Sequence, residues 1–161
     1  MRVRFNVNGE AVEVEARADE MLLDVLRREL ELASVRYTCG VGVCGACTAL
    51  VDGEPISTCI LLAPLAEGKE VTTVEGLGGD HPVQRAFVDA VAFQCGYCTP
   101  GMILTAKSLL EEIPDPTEEK IRNYMGGNLC RCGCYAKIEA AVNLAASARK
   151  AAAPSKGKGG A

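Results

Sequence analysis

A chain of 161 residues, 48% hydrophobic and 24% charged, has room for one domain or two small ones and enough apolar content to bury a core. Its net charge is −4, and since four of the 17 basic residues fall in the last thirteen positions, residues 1–148 set thirteen basic side chains against 21 acidic ones; with seven aromatics and no Trp, that is not the electrostatic footprint of a nucleic-acid binder. The single histidine, His81, leaves no room for a histidine metal cage or a Ser-His or Cys-His catalytic pair.

In chain order, Val3, Phe5 and Val7 alternate with polar residues as a strand does, Asn8-Gly9 is a type I′ hairpin signal, and Val12, Val14 and Ala16 continue as a second strand. Asp19 is placed as the N-cap of a helix carrying Leu22, Leu23, Leu26 and Leu30 at 3–4 spacing. Beyond a cysteine-bearing loop, Thr48–Val51, a turn at Asp52-Gly53 and Glu70–Val74 supply further short strands, which together predict a small mixed sheet with one helix across it. VEGLGGDHP (74–82) reads as a linker, dividing the chain into domains at 1–78 and 79–152.

The second part reads as helical throughout. One helix is expected over 82–93 with Phe87, Ala90 and Val91 on one face, and another from Thr99-Pro100, an N-cap followed by Pro at the first helical position, carrying Ile103, Ala106, Leu109 and Leu110 and stopping before Pro114. A third runs from Thr117 to Gly126-Gly127, and a fourth over about 135–151 has Ile138, Ala141, Val142 and Ala145 as its stripe. Residues 153–161 read as a disordered tail. The fold class is therefore α+β. Met102 and Met125 are expected in the core, His81 as a surface or capping residue, and the Glu-rich stretches 10–20 and 111–119 as solvated faces. The alternating N-terminus has no continuous apolar run of a secretory signal, and Ile60 to Ala66, broken by Pro64, is far too short to span a bilayer.

Nine cysteines are the outlier. An odd number leaves one thiol outside any internal disulfide framework, and such density fits metal binding in the reducing cytoplasm better than disulfides. Cys39, Cys44, Cys47 and Cys59 have the C-x4-C-x2-C spacing, with a fourth member downstream, of a plant-type 2Fe–2S ligand set. Three glycines in the loop (Gly40, Gly42, Gly45) let the backbone turn close to sulfur and offer N–H groups to the net negative charge of a four-thiolate cluster. Cys95-x2-Cys98 and Cys130-x-Cys132 form a second set, each pair at a helix end. Their spacing alone admits either tetrahedral Zn or a 2Fe–2S cluster.

With Gln94-Cys95-Gly96-Tyr97-Cys98-Thr99-Pro100-Gly101-Met102 and Gly127-Asn128-Leu129-Cys130-Arg131-Cys132 following the first block in order, the sequence resembles the small iron–sulfur subunit of the molybdenum hydroxylases, the family of xanthine dehydrogenase, aerobic carbon monoxide dehydrogenase and aldehyde oxidoreductase. The resemblance covers about residues 2–148. It implies a plant-ferredoxin-like β-grasp domain followed by an all-α four-helix domain, each with a 2Fe–2S cluster, the second held by Cys95, Cys98, Cys130 and Cys132. It further implies that electrons pass singly from a molybdenum–pterin cofactor of dinucleotide form in a large subunit, through the helical-domain cluster and then the ferredoxin-like one, to FAD in a medium subunit, the whole assembling as a dimer of heterotrimers in the cytoplasm. By the same resemblance Gln94 contacts the pterin. No catalytic residue, nucleic-acid partner or membrane span is expected in this chain. The sequence departs from the family at Cys130-Arg131-Cys132-Gly133-Cys134-Tyr135, where a ninth cysteine, Cys134, stands in a glycine's place. If that glycine served a positive-φ position, Cys134 is strained unless Gly133 takes over the turn.

Overall fold

The N-terminal alternation closes into a hairpin. In the computed structural model, which describes residues 1–152, β1 (Arg2–Val7) pairs antiparallel with β2 (Glu10–Glu15), Phe5 opposite Val12. Asn8 and Gly9 turn at φ of 53° and 84°, as a type I′ connection demands. Val3, Phe5 and Val7 are buried and the residues between them exposed. Residues 153–161, read above as a tail, lie outside the described residues.

The helix α1 (Leu22–Arg28) buries Leu22, Leu23, Val25 and Leu26 in one core with Val3, Phe5 and Ala49. Its start differs from the expected one. The N-cap is Met21, extended and without a side-chain cap, because Met21 bridges Leu62; Asp19 instead binds the Arg17 guanidinium at 3.1 Å. Leu30 lies past the helix end but still packs on the same core. Glu20, expected on a solvated face, is only 4% exposed, and its carboxylate accepts from the Arg28 guanidinium and, at 3.0 Å, from the Arg17 N–H. Those two donors hold its carboxyl below the ordinary value of 4.5 against the opposing effect of burial. A depressed folded-state pKa stabilises above the unfolded pKa and stops doing so as pH falls through the folded one. Glu20→Gln is therefore expected to melt below the parent at neutral pH, with the gap closing under pH 4.5; a gap independent of pH in paired thermal scans would refute this.

Two further strands, β3 (Thr48–Val51) and β4 (Glu54–Ser57), make a second hairpin around Asp52-Gly53. β5 (Glu70–Thr72) lies between the hairpins, parallel to β1 and antiparallel to β3, so the mixed sheet runs β2-β1-β5-β3-β4. β5 ends two residues before the expected Val74. Val74–Leu77 forms a 3-10 turn instead, and Glu75 accepts hydrogen bonds from the Ser34 N–H at 3.0 Å and from the Ser34 hydroxyl. The first half of the expected linker is thus fastened to the sheet side, while Val74 and Leu77 pack against the second core.

From Pro82 onward the described residues form helices only: α2 (Pro82–Asp89), α3 (Thr99–Glu112), α4 (Glu118–Met125) and α5 (Tyr135–Ala152). His81 caps α2, its Nδ1 accepting from the Val83 N–H at 3.3 Å while the Gln84 side chain accepts from the His81 N–H. α2 is shorter than expected. Val91 turns at φ 48° and is 51% exposed, so it leaves the face that Phe87 buries. Thr117, where the third helix was expected to start, is the N-cap of α4, and the α5 stripe of Ile138, Ala141, Val142 and Ala145 is wholly buried, as are Met102 and Met125. α3 packs on β3 and β4 on one side and on α2, α4 and α5 on the other, joining the two cores. No helix among the described residues is long and apolar enough to cross a membrane.

Candidate metal centres

The loop between α1 and β3 carries the first thiols. It is tied down at its exit, where Thr48 donates to the Gly45 carbonyl through both N–H (3.2 Å) and hydroxyl (2.7 Å), and the Arg36 N–H reaches the Ala46 carbonyl at 3.2 Å. Gly40, Gly42 and Gly45 adopt φ of 67°, 75° and 66°, the left-handed turns expected of them. The N–H groups of Val41, Cys44 and Val43, with the Cys44 thiol, pull the Cys39 thiol down to about 6. Cys47 and Cys59 are buried at the loop's far side, held together by the Thr58 hydroxyl donating to the Cys47 carbonyl at 2.8 Å. Burial, and then the adjacent Cys47, pushes Cys59 up to about 11, with Cys39 contributing. The four thiols therefore stand as two neighbouring pairs, Cys39 with Cys44 and Cys47 with Cys59.

The second set gathers from three places. Cys95 is exposed in the connection between α2 and α3, Cys98 is the N-cap residue of α3, and Cys130 (buried) and Cys132 (exposed) lie between α4 and α5. The Tyr97 N–H, followed by the Cys132 thiol, lowers Cys95; burial and then Cys130 push Cys98 up to about 12. Here too the pairing is twofold, Cys95 with Cys132 and Cys98 with Cys130. Burial opposes ionisation of Cys130, but the Cys134 N–H, the Cys98 thiol and the Cys132 N–H together lower it. Cys134 belongs to the same cluster: its N–H donates to Cys130 Sγ at 3.5 Å, and burial and then Cys130 raise its own thiol.

α3 begins at Thr99, one residue earlier than its expected capping role implies, and Cys98 takes the cap position. Thr99 Oγ1 is left buried beside Cys98 with no partner among the described residues. Neighbouring thiols in each set perturb one another, Cys39 with Cys44, Cys47 with Cys59, Cys95 with Cys132, and Cys130 with both Cys98 and Cys134. Two thiolates per iron, backbone N–H groups around sulfur and an unpaired buried hydroxyl alongside are what a binuclear iron–sulfur group needs, and the residues fit it.

Residues 5–74 match the family described as 2Fe-2S iron-sulfur cluster binding domain, and residues 73–143 the family described as [2Fe-2S] binding domain. The chain is 49% identical over 151 residues to a nicotinate dehydrogenase subunit of Pseudomonas putida, covering 92% of this chain and 96% of that one. It is 49% identical to the nicotinate dehydrogenase small FeS subunit of Eubacterium barkeri, over 89% of this chain and 93% of the other. The fold is similar to a chain of quinoline 2-oxidoreductase from Pseudomonas putida 86, with a TM-score of 0.89 and 40% identity over 94% of this chain and 96% of that one. The chain belongs to the small iron–sulfur subunits of the molybdenum hydroxylases. As such it is the non-catalytic, electron-transfer subunit of an oxidoreductase.

In this small subunit the two thiol sets meet across a direct backbone contact. The Leu129 N–H donates to the Cys44 carbonyl at 2.9 Å. Asn128, only 6% exposed, donates from Nδ2 to the Gly45 carbonyl at 3.0 Å and accepts on Oδ1 from the Thr105 hydroxyl at 2.9 Å. Gly101 of α3 lies so close that a Cβ there would stand 2.3 Å from the Gly45 carbonyl oxygen. At the rim, the Tyr97 hydroxyl donates to the Tyr37 carbonyl at 2.6 Å and the Arg36 guanidinium lies 5.4 Å from the Tyr97 ring centroid. A cleft of about 440 Å³ runs between the sets, with Cys44, Cys95, Cys98 and Cys130 in its wall. Gln94 is exposed, directly before Cys95 in the chain. Sequence reasoning missed Asn128, Gly101 and Thr105, although Asn128 sits within the Gly127–Cys132 block; a polar residue flanked by Gly and Leu beside a cysteine was the available signal.

Proposed function

We propose that this small subunit relays electrons one at a time, from a molybdenum–pterin cofactor of dinucleotide form in a large subunit, by way of the helical site and then the ferredoxin-like site, to FAD in a medium subunit. Cys39, Cys44, Cys47 and Cys59 hold one 2Fe–2S cluster and Cys95, Cys98, Cys130 and Cys132 the other, leaving Cys134 spare. Each cluster, when bound, takes up and gives back a single electron at a potential set by hydrogen bonds to sulfur and by exposure.

The observation that carries this reading is that the two four-thiol sets, each on its own hydrophobic core, meet where the Leu129 N–H reaches the Cys44 carbonyl and Asn128 Nδ2 the Gly45 carbonyl. The arrangement is directional. Cys95 and Cys132 are the exposed members of the helical set and Cys98 and Cys130 the covered ones, so its open edge, with Gln94 as the pterin contact, serves the large subunit. Around the other loop Val41 (66% exposed), Val43 and Ile60 make an apolar rim suited to the medium subunit. The separate cores support domains at 1–78, a β-grasp, and 79–152, a four-helix unit. A cytoplasmic dimer of heterotrimers completes the proposal.

The test is the iron content and low-temperature EPR of the dithionite-reduced complex. The expected result is about four iron atoms for each copy of this chain and two distinct signals, because the sets differ in exposure and hydrogen bonding. About two iron atoms plus one zinc, or a single signal of one spin per chain, would overturn the reading.

A further inference from the structure

The contact between the thiol sets is built from side chains whose only evident task is to hold it. Asn128 is buried, reaches across to a carbonyl 83 positions earlier in the chain, and has its Oδ1 2.9 Å from the Thr105 hydroxyl, whose single proton is shared between that oxygen and the Gly101 carbonyl, also at 2.9 Å. The carbonyl that Asn128 holds, Gly45, is also held by Thr48. Gly45 adjoins Cys44, whose carbonyl accepts from the Leu129 N–H at 2.9 Å, and Leu129 adjoins Cys130. From Cys44 Sγ to Cys130 Sγ the atoms thus run through covalent bonds interrupted by one hydrogen bond, and the side chain next to that hydrogen bond on one strand fixes the residue next to it on the other. A Cβ at Gly45 would meet both Gly127 O and Asn128 Nδ2 at 2.6 Å, so the approach leaves no slack.

We infer that Asn128, anchored by Thr105, is a positioning residue for electron transfer between the two clusters, setting the length of the Leu129–Cys44 hydrogen bond through which the electron passes. The inference rests on the relay reading above. In the step itself the donor cluster goes from one ferrous and one ferric iron to two ferric irons and the acceptor does the reverse; no proton moves and no bond is made or broken.

The experiment uses the intact complex with Asn128→Ala and, separately, Thr105→Val, which leaves the amide in place but removes its anchor. Readouts are iron per chain, the midpoint potentials of both clusters, their magnetic interaction in EPR when both are reduced, and the rate of electron exchange between them by rapid-freeze sampling. The expected result is full iron content and unchanged potentials, with a weakened magnetic interaction and exchange slower by severalfold, because lengthening the one non-covalent step of the path weakens the coupling between the clusters. Full iron content with unchanged exchange and interaction would overturn the inference while leaving the relay intact. Absence of a second cluster from the unsubstituted complex would overturn the relay reading itself. Should Asn128→Ala lose a cluster, Thr105→Val decides between the same two results.

Discussion

Cys132→Ser is expected to strip the small subunit of about half of its iron and of the helical-site EPR signal, while Cys134→Gly keeps both. The helical site offers five thiols for four ligand positions. Cys134 contributes to that site through its backbone: its N–H reaches Cys130 Sγ at 3.5 Å, and glycine retains that N–H. The left-handed turn in this stretch belongs to Gly133, at φ 77°, and Cys134 is not among the residues with positive φ, so replacing it relieves no strain. Glycine is also tolerated ahead of a helix, so stability should change by less than about 1 kcal/mol. Serine at 132 is different in kind. Its hydroxyl ionises far less readily than a thiol and is a hard donor where iron–sulfur chemistry calls for a soft one. Iron analysis and EPR of both variants settle the matter. Retention of the helical-site signal in Cys132→Ser, with its loss in Cys134→Gly, would move the ligand to Cys134.

Gly101→Ala is expected to lower the melting temperature by about 10 °C, the equivalent of about 3 kcal/mol of overpacking in a chain of this size. On an isolated helix the same change stabilises by up to about 1 kcal/mol, since alanine is the better helix former. Here the new methyl would stand 2.3 Å from the Gly45 carbonyl oxygen and 3.3 Å from Asn128 Nδ2. The oxygen is backbone and is already held by Thr48 and Asn128, so relief requires α3 to back away from the loop. The sign of the effect is therefore the diagnostic. Thermal unfolding followed by circular dichroism and by the visible absorbance of the clusters should show both falling early; a melting temperature equal to or above the parent's would mean that α3 and the loop are not in this contact.

The parts legible in the sequence were those whose cause is local. Alternation in Val3–Val7 and Val12–Ala16 found the first hairpin, and the Thr117 start and the Ile138–Ala145 stripe found α4 and α5. Cysteine spacing picked out Cys39, Cys44 and Cys47 because one nine-residue loop brings them together, whereas Cys59 and the second set join through the tertiary fold. What was missed depends on partners distant in sequence. Asp19 does not cap α1 because the Met21–Leu62 bridge fixes where the helix can start, and Glu20 is buried because Arg28 comes back to meet it. β4, four residues long with Pro55 inside it, survives as an edge strand paired only to β3, and no periodicity marks it. The glycine-rich stretch 74–82 read as a linker between two domains, with no sign of contacts across it. The Asn128–Gly45 and Leu129–Cys44 bonds fasten the two parts to each other, and Glu75 on Ser34 ties the start of the linker to the sheet side, contacts that local sequence does not announce.

The middle strand of the sheet is the last to be synthesised. β5 supplies only three residues, yet β1–β2 and β3–β4 share no ladder without it. During translation the two hairpins therefore emerge as separate ribbons, each marginal in water on its own. They can be stitched together only when residues 70–72 have left the ribosome. Cys39, Cys44, Cys47 and Cys59 have all emerged by then, on a scaffold not yet closed, and pairing β1 with β5 across more than sixty positions is a slow, non-local event. Closure of the sheet behind the first thiol loop thus waits for a three-residue strand that carries none of its cysteines.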